Sequence, residues 1–570
     1  MGPERAVRVV TEVAAVDRAF DYAVSEATTR VQVGDRVRVN FNNRSVRGWV
    51  VADASDERDL KSLVKWLGFG PPASMLVALQ WASSRWYGPL ARFLSAASPK
   101  RIVSELSVAP ERRALSVSVA ASAVRYVPGV IQLAPTTDPL AVVLGAYEAV
   151  RNREGSLVVL VPTESWGRRL RGRLEQRGLA VASGDEEWDK MRSGWPVIVG
   201  SRGGALAPTP RLAGAVVIDA DDEAYRSEAT PTWEATAMLR ERCRLDDAPM
   251  WATSMIPSPS LLNAGAFERE RDLVGGWPCI EVVDRRSSDP HDGVLARDAL
   301  DACHRALRGD DAVAVVIISQ RLGVGRLLAC VRCGELARCA TCGQAEGEAG
   351  ALIACRDAHE PREQFCRHCG ATALKRVRSG VTTLARDVAA QLGQDVSEVT
   401  ATSDTSATLA RVVVGTEAIF QRVRRAQVAV FVDFDQYLLA PRESARRQAV
   451  IAVGKAGRLV GSRREARGSV VVQTRRSNDL VISSLVSADF DELIRDDEQT
   501  AKILGLAPYG ARAEVVGAGA QAFVDQLDTA LVRVRGGGEH FEVRAVDNDA
   551  LARALSSVVR PSARVRVAVN

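Results

Sequence analysis

The chain has 570 residues and a formal net charge of +5, with 46% hydrophobic and 25% charged residues. This length is too great for a single hydrophobic core, so we expect about three to five domains. The composition is typical of a soluble globular protein, and so small a net charge does not by itself indicate nucleic-acid binding. The chain begins without an apolar signal segment, and no later stretch is long enough to span a bilayer. We therefore expect a cytoplasmic protein that has no membrane partner.

Residues 1–105 are predicted to form a small β domain with a helical tail. Val33–Phe41 alternates apolar and polar residues, and Val46–Val51 is a second apolar run. Asn42-Asn43 lies between the two runs and is typical of a tight turn, so we expect a β-hairpin. From Met75 to Ala97 the apolar residues recur with helical spacing, which predicts a helix.

Two α/β units are predicted after a linker at residues 106–134. Residues 135–265 form the first unit, residues 266–329 and 373–480 form the second, and residues 481–570 form a C-terminal α+β domain. Both units contain short apolar runs that are typical of buried parallel strands. These runs are Leu157–Val161, Pro196–Gly200, Ala215–Asp219, Ala312–Ile318, Ala410–Val414, Val428–Asp433 and Ser469–Val472.

Seven of the ten cysteines lie between Cys330 and Cys369. They form three CxxC pairs and one isolated cysteine, Cys355, and His359 follows as an eighth potential ligand. Each CxxC pair can place two thiolates on one ion, and eight ligands fill two tetrahedral zinc sites. Reduced or disulfide-bonded cysteines are the alternative, which the repeated CxxC spacing disfavours. The predicted ligands of two Zn²⁺ ions are Cys330, Cys333, Cys339, Cys342, Cys355, His359, Cys366 and Cys369.

Two α/β units, the second interrupted by a zinc-binding insertion at residues 330–372, resemble the PriA family of replication restart helicases. The spacing CxxC-x5-CxxC-x12-C-x10-CxxC is similar to that family's two-zinc insertion, with one family cysteine replaced by Ala358. The resemblance implies an N-terminal domain that binds the 3′ end of DNA, and two RecA-like helicase lobes. It leaves too few residues in the linker for the family's winged-helix domain. The family's pairing implies one zinc site from Cys330, Cys333, Cys366 and Cys369, and another from Cys339, Cys342, Cys355 and His359.

The family's ATP-driven motor motifs are degraded in this sequence. No GxxxxGK[ST] phosphate loop occurs in the chain, and the family's position for it reads Pro135-Thr-Thr-Asp-Pro-Leu140. Asp219 matches a metal-binding carboxylate, but the usual catalytic glutamate is Ala220. Arg458 matches an arginine that faces the nucleotide phosphates. The alternatives are that Asp219 only ends a strand and that Arg458 makes structural contacts. Charge stabilisation dominates phosphoryl transfer, so these losses predict a P-loop fold without ATPase activity and make ATP a doubtful ligand.

The resemblance also implies a pocket for the 3′ end of a DNA strand. The family's Phe-Asp pair matches Phe20 and Asp21, and the aspartate accepts a hydrogen bond from the terminal hydroxyl. A family lysine matches Lys61, which could contact a phosphate. The family glycine that follows Phe41 is Asn42 here, which narrows the space near the backbone. A place for Phe20 in the barrel core is the alternative.

Arginines make the zinc-binding insertion basic. They predict sequence-independent phosphate contacts, and the alternative is a role in surface solubility. These arginines are Arg332, Arg338, Arg356, Arg362 and Arg367.

The favoured function is a replication restart protein, nucleoid-associated, that binds forked or single-stranded DNA and scaffolds primosome assembly without helicase activity. Its implied partners are DNA 3′ ends, primosome proteins, single-strand-binding protein and the loader of the replicative helicase. One alternative is a divergent ATP-dependent 3′–5′ DNA helicase. Another alternative is a protein–protein scaffold that does not bind DNA.

Overall fold

The structure is a computed structural model, and it divides into two compact units. One unit is Met1–Ile131, Asp138–Glu268 and Asp497–Asn570, and the other is Gln132–Thr137 and Arg269–Asp496. No helix within the described residues is long and apolar enough to cross a membrane. The described residues are 5–13, 18–54, 60–286, 293–319, 328–340, 346–349, 352–355, 361–376, 381–400, 403 and 409–570.

The first domain is an antiparallel sheet with the strand order β2-β1-β4-β3-β5. Its strands are β1 (Ala6–Thr11), β2 (Ala19–Ala23), β3 (Arg36–Phe41), β4 (Arg44–Ala54) and β5 (Lys65–Trp66). Phe41 pairs with Arg44, so the predicted hairpin is confirmed. Asn42 and Asn43 turn the chain with φ values of 47° and 61°. Asparagine tolerates this left-handed backbone better than other non-glycine residues, which explains the pair.

The helical tail is two helices rather than the single helix predicted over Met75–Ala97. The helices after the first sheet are α1 (Ala73–Arg85), α2 (Leu90–Ala97) and a short α3 (Val117–Ala120). The chain breaks at Tyr87, which has a φ of 47°, and at Pro89, which precedes α2. A proline cannot continue the hydrogen-bonding ladder of a helix, so the apolar spacing alone gave too long an element.

A second sheet has the order β12-β6-β11-β10-β7-β9-β8, and the pairs around β7, β9, β10 and β11 are parallel. The predicted boundaries of this unit, 135 and 265, are too narrow, because β6 falls in the predicted linker and β12 after the unit. The strands are β6 (Gly129–Gln132), β7 (Ser156–Leu160), β8 (Val181–Ala182), β9 (Val197–Gly200), β10 (Leu212–Val217), β11 (Met250–Ser254) and β12 (Ala266–Arg269). The helices are α4 (Leu140–Val150), α5 (Glu164–Glu175), α6 (Trp188–Arg192), α7 (Ala235–Leu245) and α8 (Pro259–Leu262).

A third, parallel sheet has the order β13-β23-β22-β14-β21-β20, and the cysteine-rich insertion adds two small sheets, β15-β19 and β16-β17-β18. The strands are β13 (Cys279–Asp284), β14 (Val315–Ile318), β15 (Leu328–Cys330), β16 (Glu346–Ala349), β17 (Leu352–Cys355), β18 (Arg362–Glu363), β19 (Leu374–Arg376), β20 (Val396–Val399), β21 (Val412–Gly415), β22 (Val428–Phe431) and β23 (Ser469–Thr474). The helices are α9 (Arg297–Leu307), α10 (Val381–Leu392), α11 (Ile419–Arg422), α12 (Asp435–Leu438) and α13 (Ala445–Val460). Valine-rich central strands such as β22 are buried along their whole length, as both faces of a parallel sheet require.

The chain ends in an antiparallel sheet with the order β25-β26-β24-β27. Two helices, α14 (Leu480–Ser487) and α15 (Asp491–Leu504), precede it. The remaining elements are β24 (Ala511–Val516), α16 (Ala520–Val524), β25 (Val532–Gly537), β26 (His540–Ala545), α17 (Asn548–Ser556) and β27 (Arg566–Val569).

Candidate metal centre and nucleic-acid interface

The outer two CxxC pairs converge on one point. The ligand atoms of Cys330, Cys333, Cys366 and Cys369 all lie within 4.8 Å of one another. Two sulfur–sulfur distances, Cys330 to Cys369 and Cys333 to Cys366, are 3.5 Å. A disulfide needs about 2.05 Å, whereas a tetrahedron with Zn–S bonds of about 2.3 Å has edges of about 3.8 Å. The four sulfurs therefore fit a tetrahedral metal ion.

The same turn builds both halves of this site. Gly334 and Gly370, which follow the two CxxC pairs, both have a φ of 73°. Each glycine N–H donates to the carbonyl of the first cysteine of its pair, at 2.9 Å to Cys330 and 2.8 Å to Cys366. Glycine adopts this left-handed conformation without steric cost, so each turn brings its two sulfurs together. The glycine after each outer CxxC was a sequence signal for this site that the cysteine spacing alone did not use.

The sulfurs of the cluster differ in their tendency to ionise. Burial raises the pKa of Cys330, but hydrogen bonds from backbone N–H groups, including that of Arg332 at 3.4 Å, outweigh burial and lower this pKa to about 7. Burial raises the pKa of Cys333 to about 12. Four thiols that share one small volume cannot all ionise without a cation, and a Zn²⁺ ion would supply that charge.

Two of the four predicted ligands of the inner zinc site lie within the described residues. Cys339 and Cys355 are buried, which suits metal ligands. The other two predicted ligands, Cys342 and His359, lie outside the described residues. The second zinc ion therefore stays a prediction.

The basic residues of the insertion divide into two groups. Arg362 is not available to phosphate, because its Nε donates to both carboxylate oxygens of the buried Glu346 at 3.0 Å. Arg338 is partly buried, and burial lowers its pKa. Arg332 and Arg367 are exposed, as the phosphate-contact prediction requires. Arg356 lies outside the described residues.

The predicted DNA-end pocket begins with a pair of aromatic rings. The ring centroids of Phe20 and Phe41 are 5.0 Å apart, which joins the start of β2 to the end of β3. The guanidinium of Arg18 lies 4.7 Å from the Phe20 ring centroid, in the range of a cation–π contact. Phe20 packs at the edge of the buried barrel cluster rather than inside it, and its side chain is partly exposed.

Asp21 already has a partner. Nε and Nη2 of Arg8, on the neighbouring strand, donate to the two carboxylate oxygens of Asp21 at 2.9 and 3.1 Å. Lys61 is exposed, and its carbonyl accepts the N–H of Ala23 at 3.1 Å, two residues beyond Asp21. The sequence interpretation missed Arg8, whose alternation with apolar neighbours on β1 placed it opposite Asp21.

In the loop before α4, backbone N–H and hydroxyl groups donate hydrogen bonds to the carboxylate of Glu270. A phosphate loop offers donors of the same kind to phosphate. The Glu270 carboxylate accepts the N–H of Ala134 at 2.9 Å and the hydroxyl of Thr137 at 2.7 and 2.8 Å. Arg458 donates its Nε to the carbonyl of Pro135 at 2.9 Å, a structural contact with the same loop. These donors and Arg458 are therefore engaged by the protein itself.

Asp219 lies in a turn just after β10. It is buried with a φ of 52°, and its N–H donates to the hydroxyl of Thr253 at 3.0 Å. The hydroxyl of Ser254 donates to Asp221 at 2.7 Å. The turn and the Trp251-Ala-Thr-Ser254 segment are thus tied together by side chains. Within the described residues, the only group of three or more metal-ligand side chains in one place is the cysteine cluster, so Asp219 belongs to no such group.

Comparison with known proteins identifies the first domain and gives one relative. Residues 8–99 match the family model of the PriA 3′DNA-binding domain (3′BD). The chain is 30% identical over 216 residues to the replication restart protein PriA of Treponema pallidum (strain Nichols), which covers 34% of this chain and 32% of that protein. The match therefore spans about a third of the curated relative.

Two solved structures of yeast Dbp5 bound to RNA and ADP BeF3 are also similar, one of them an L327V variant. The TM-scores are 0.36 for the variant and 0.35 for the other structure, with 11% and 12% identity. Each match covers 66% of this chain, and 88% and 89% of the Dbp5 chains. A similarity of this size is too small to support an inference.

The fold and the cysteine site define a class. It is a multidomain α/β protein with a 3′BD-type first domain and a four-cysteine cluster that is inserted in the third sheet, between β14 and β20. Within that class, residues 8–99 are similar to the PriA 3′DNA-binding domain, and about a third of the chain is similar to the replication restart protein PriA.

Proposed function

We propose that this protein binds DNA at 3′ ends through residues 8–99 and serves replication restart as a DNA-bound scaffold. The match of these residues to the 3′DNA-binding domain carries the proposal. Its geometry supports it, because Phe20 is a partly exposed aromatic ring of the kind on which bases stack, and Lys61 is an exposed cation for a phosphate. Asn42 keeps the turn conformation that glycine would otherwise supply.

The proposal further assigns the two parallel sheets as RecA-like lobes that do not hydrolyse ATP. The chain lacks a GxxxxGK[ST] loop, and Ala220 replaces the catalytic glutamate. Glu270 supports this assignment, because its carboxylate would repel a phosphate from the donors of the loop. The role of the lobes is then to position the DNA-binding domain and the zinc insertion for partners.

The zinc insertion is assigned as a structural module with two Zn²⁺ ions. Its exposed arginines, Arg332 and Arg367, are suited to DNA phosphates or acidic partner segments. We expect the partners to be primosome proteins, single-strand-binding protein and a helicase-loading protein, at the nucleoid in the cytoplasm.

Fluorescence anisotropy with fork DNA tests the DNA-end assignment. Forks with a free 3′-hydroxyl should bind more tightly than the same forks with a 3′-phosphate, because Asp21 accepts a hydrogen bond from the hydroxyl and repels the phosphate. Asp21→Asn should remove most of this preference, whereas Asp53→Asn, which alters another ion-paired aspartate of the same sheet, should preserve it. Equal affinity of the wild-type protein for both forks would contradict the assignment.

A further inference from the structure

One face of the first sheet carries a row of basic side chains beyond the part that packs against Ser98–Arg101. Arg38 on β3 lies directly opposite Arg47 on β4, and also directly opposite Lys65 on β5. Residues directly opposite one another share a face of a sheet, with Cβ atoms about 4.5–5.5 Å apart. Three positive side chains therefore cross three adjacent strands, in a row about 10 Å long.

Little negative charge balances this row. Arg47 pairs with Glu12 through a 2.7 Å contact. Neither Arg38 nor Lys65 makes an ion pair with any part of the chain that the structure describes. Arg36, two residues before Arg38 on the same face, is buried and donates only to carbonyl oxygens, at 2.7 to 3.2 Å. Burial, and then the charge of Arg47, lower the pKa of Arg36.

Like charges placed directly opposite one another destabilise a sheet, so a row of this kind is expected where an anion is bound. We propose that Arg38 and Lys65, continued by Arg47, contact the phosphates of the bound DNA strand. The row is about 10 Å long, which is enough to contact two neighbouring phosphates of an extended single strand. Phe41 lies on the opposite face of β3, so the row does not include the Phe20–Phe41 ring pair, whereas Asp21 and its partner Arg8 lie on the same face as the row. The inference rests on the proposed DNA binding and adds a second contact surface to it.

The test is the salt dependence of DNA binding. Fluorescein-labelled oligodeoxythymidine of about 20 nucleotides, with a free 3′-hydroxyl, is titrated with Arg38→Gln/Lys65→Gln at several KCl concentrations. We expect about tenfold weaker binding at low salt, and a slope of log Kd against log salt that is smaller by about 1.4, or about 0.7 per lost phosphate contact. The preference for a 3′-hydroxyl over a 3′-phosphate should persist. Arg38→Lys, which keeps the charge, should retain most of the slope.

Lys100→Gln/Arg244→Gln is the matched control, because it removes the same charge from two exposed, ion-paired positions. It should bind DNA like the wild-type protein. The double variant of the row should unfold at a temperature no lower than wild type, since it relieves repulsion. Wild-type affinity and slope in that variant would overturn this inference alone. Absence of DNA binding by the wild-type protein would overturn the proposed function together with it.

Discussion

At the scale of single residues, two carboxylates decide what the pocket and the loop can do. Asp21 is held by Arg8 across two strands, and Glu270 is held by Ala134 and Thr137 across more than a hundred residues of sequence. The sequence indicated Asp21 through the family resemblance, but it could not indicate Glu270. A contact between distant segments has no local pattern, and the loop sequence alone shows only that glycine and lysine are missing.

Glu270→Ala should loosen the loop before α4. The change leaves the N–H of Ala134 and the hydroxyl of Thr137 without their acceptor, which costs about 1–3 kcal/mol for a buried donor. The urea concentration at the unfolding midpoint should fall. The midpoint of Glu270→Gln should fall less, because glutamine keeps one acceptor oxygen. The exposed Glu492→Ala is the control. A Glu270→Ala midpoint equal to wild type would show that the contact does not hold the loop.

Cys330→Ser should remove one zinc ion per chain, because a tetrahedral site with three thiolates loses affinity and its folding contribution. Native mass spectrometry measures the metal content directly. Cys279→Ser is the matched control, since Cys279 is exposed and lies outside the cluster. Zinc content that is unchanged in Cys330→Ser would contradict a four-cysteine site.

At the scale of elements, local sequence patterns predicted strands and turns better than they predicted where a helix ends. The β3–β4 hairpin followed from alternation and an Asn-Asn turn, both of which are local. The break between α1 and α2 was missed because helical apolar spacing continues through Pro89. The convergence of the outer cysteine pairs followed from the family resemblance. Cysteine spacing alone left open which of the three CxxC pairs share an ion.

A buried carboxyl at the end of β22 gives a pH prediction. Burial, and then the nearby Asp435, raise the pKa of Asp433 to about 7, against the opposing effects of Gln436, Arg475 and Arg285. The folded protein thus keeps a proton that the unfolded chain loses near pH 4, so this group makes stability fall as pH rises from about 4 to 7.

Asp433→Asn removes the pH dependence of stability that the carboxyl of Asp433 contributes. The melting temperature of the variant minus that of the wild type should rise between pH 4.5 and 7.5, by about 1–2 °C for each kcal/mol recovered. Asp395→Asn, at an exposed position, should give a flat difference over the same range. A flat or falling difference for Asp433→Asn would mean that Asp433 is ionised in the folded protein at low pH.

At the scale of the whole molecule, the chain combines a 3′BD-type domain with two α/β sheets, and its sequence contains no GxxxxGK[ST] loop. The domain match and the four-cysteine cluster concern binding and structure, whereas the departures fall at the phosphate loop and at Ala220. This distribution agrees with the proposed function, in which the protein binds DNA and does not hydrolyse ATP. The prediction against ATP hydrolysis therefore rests on the site residues and not on the fold.

The most direct test of this account is ATP hydrolysis by the full chain, measured by phosphate release in the presence of saturating fork DNA. We predict no release above that of a protein-free control, because the loop lacks a lysine and the catalytic glutamate is replaced. DNA-stimulated hydrolysis that is lost in Asp219→Ala would contradict the account and would establish an active motor.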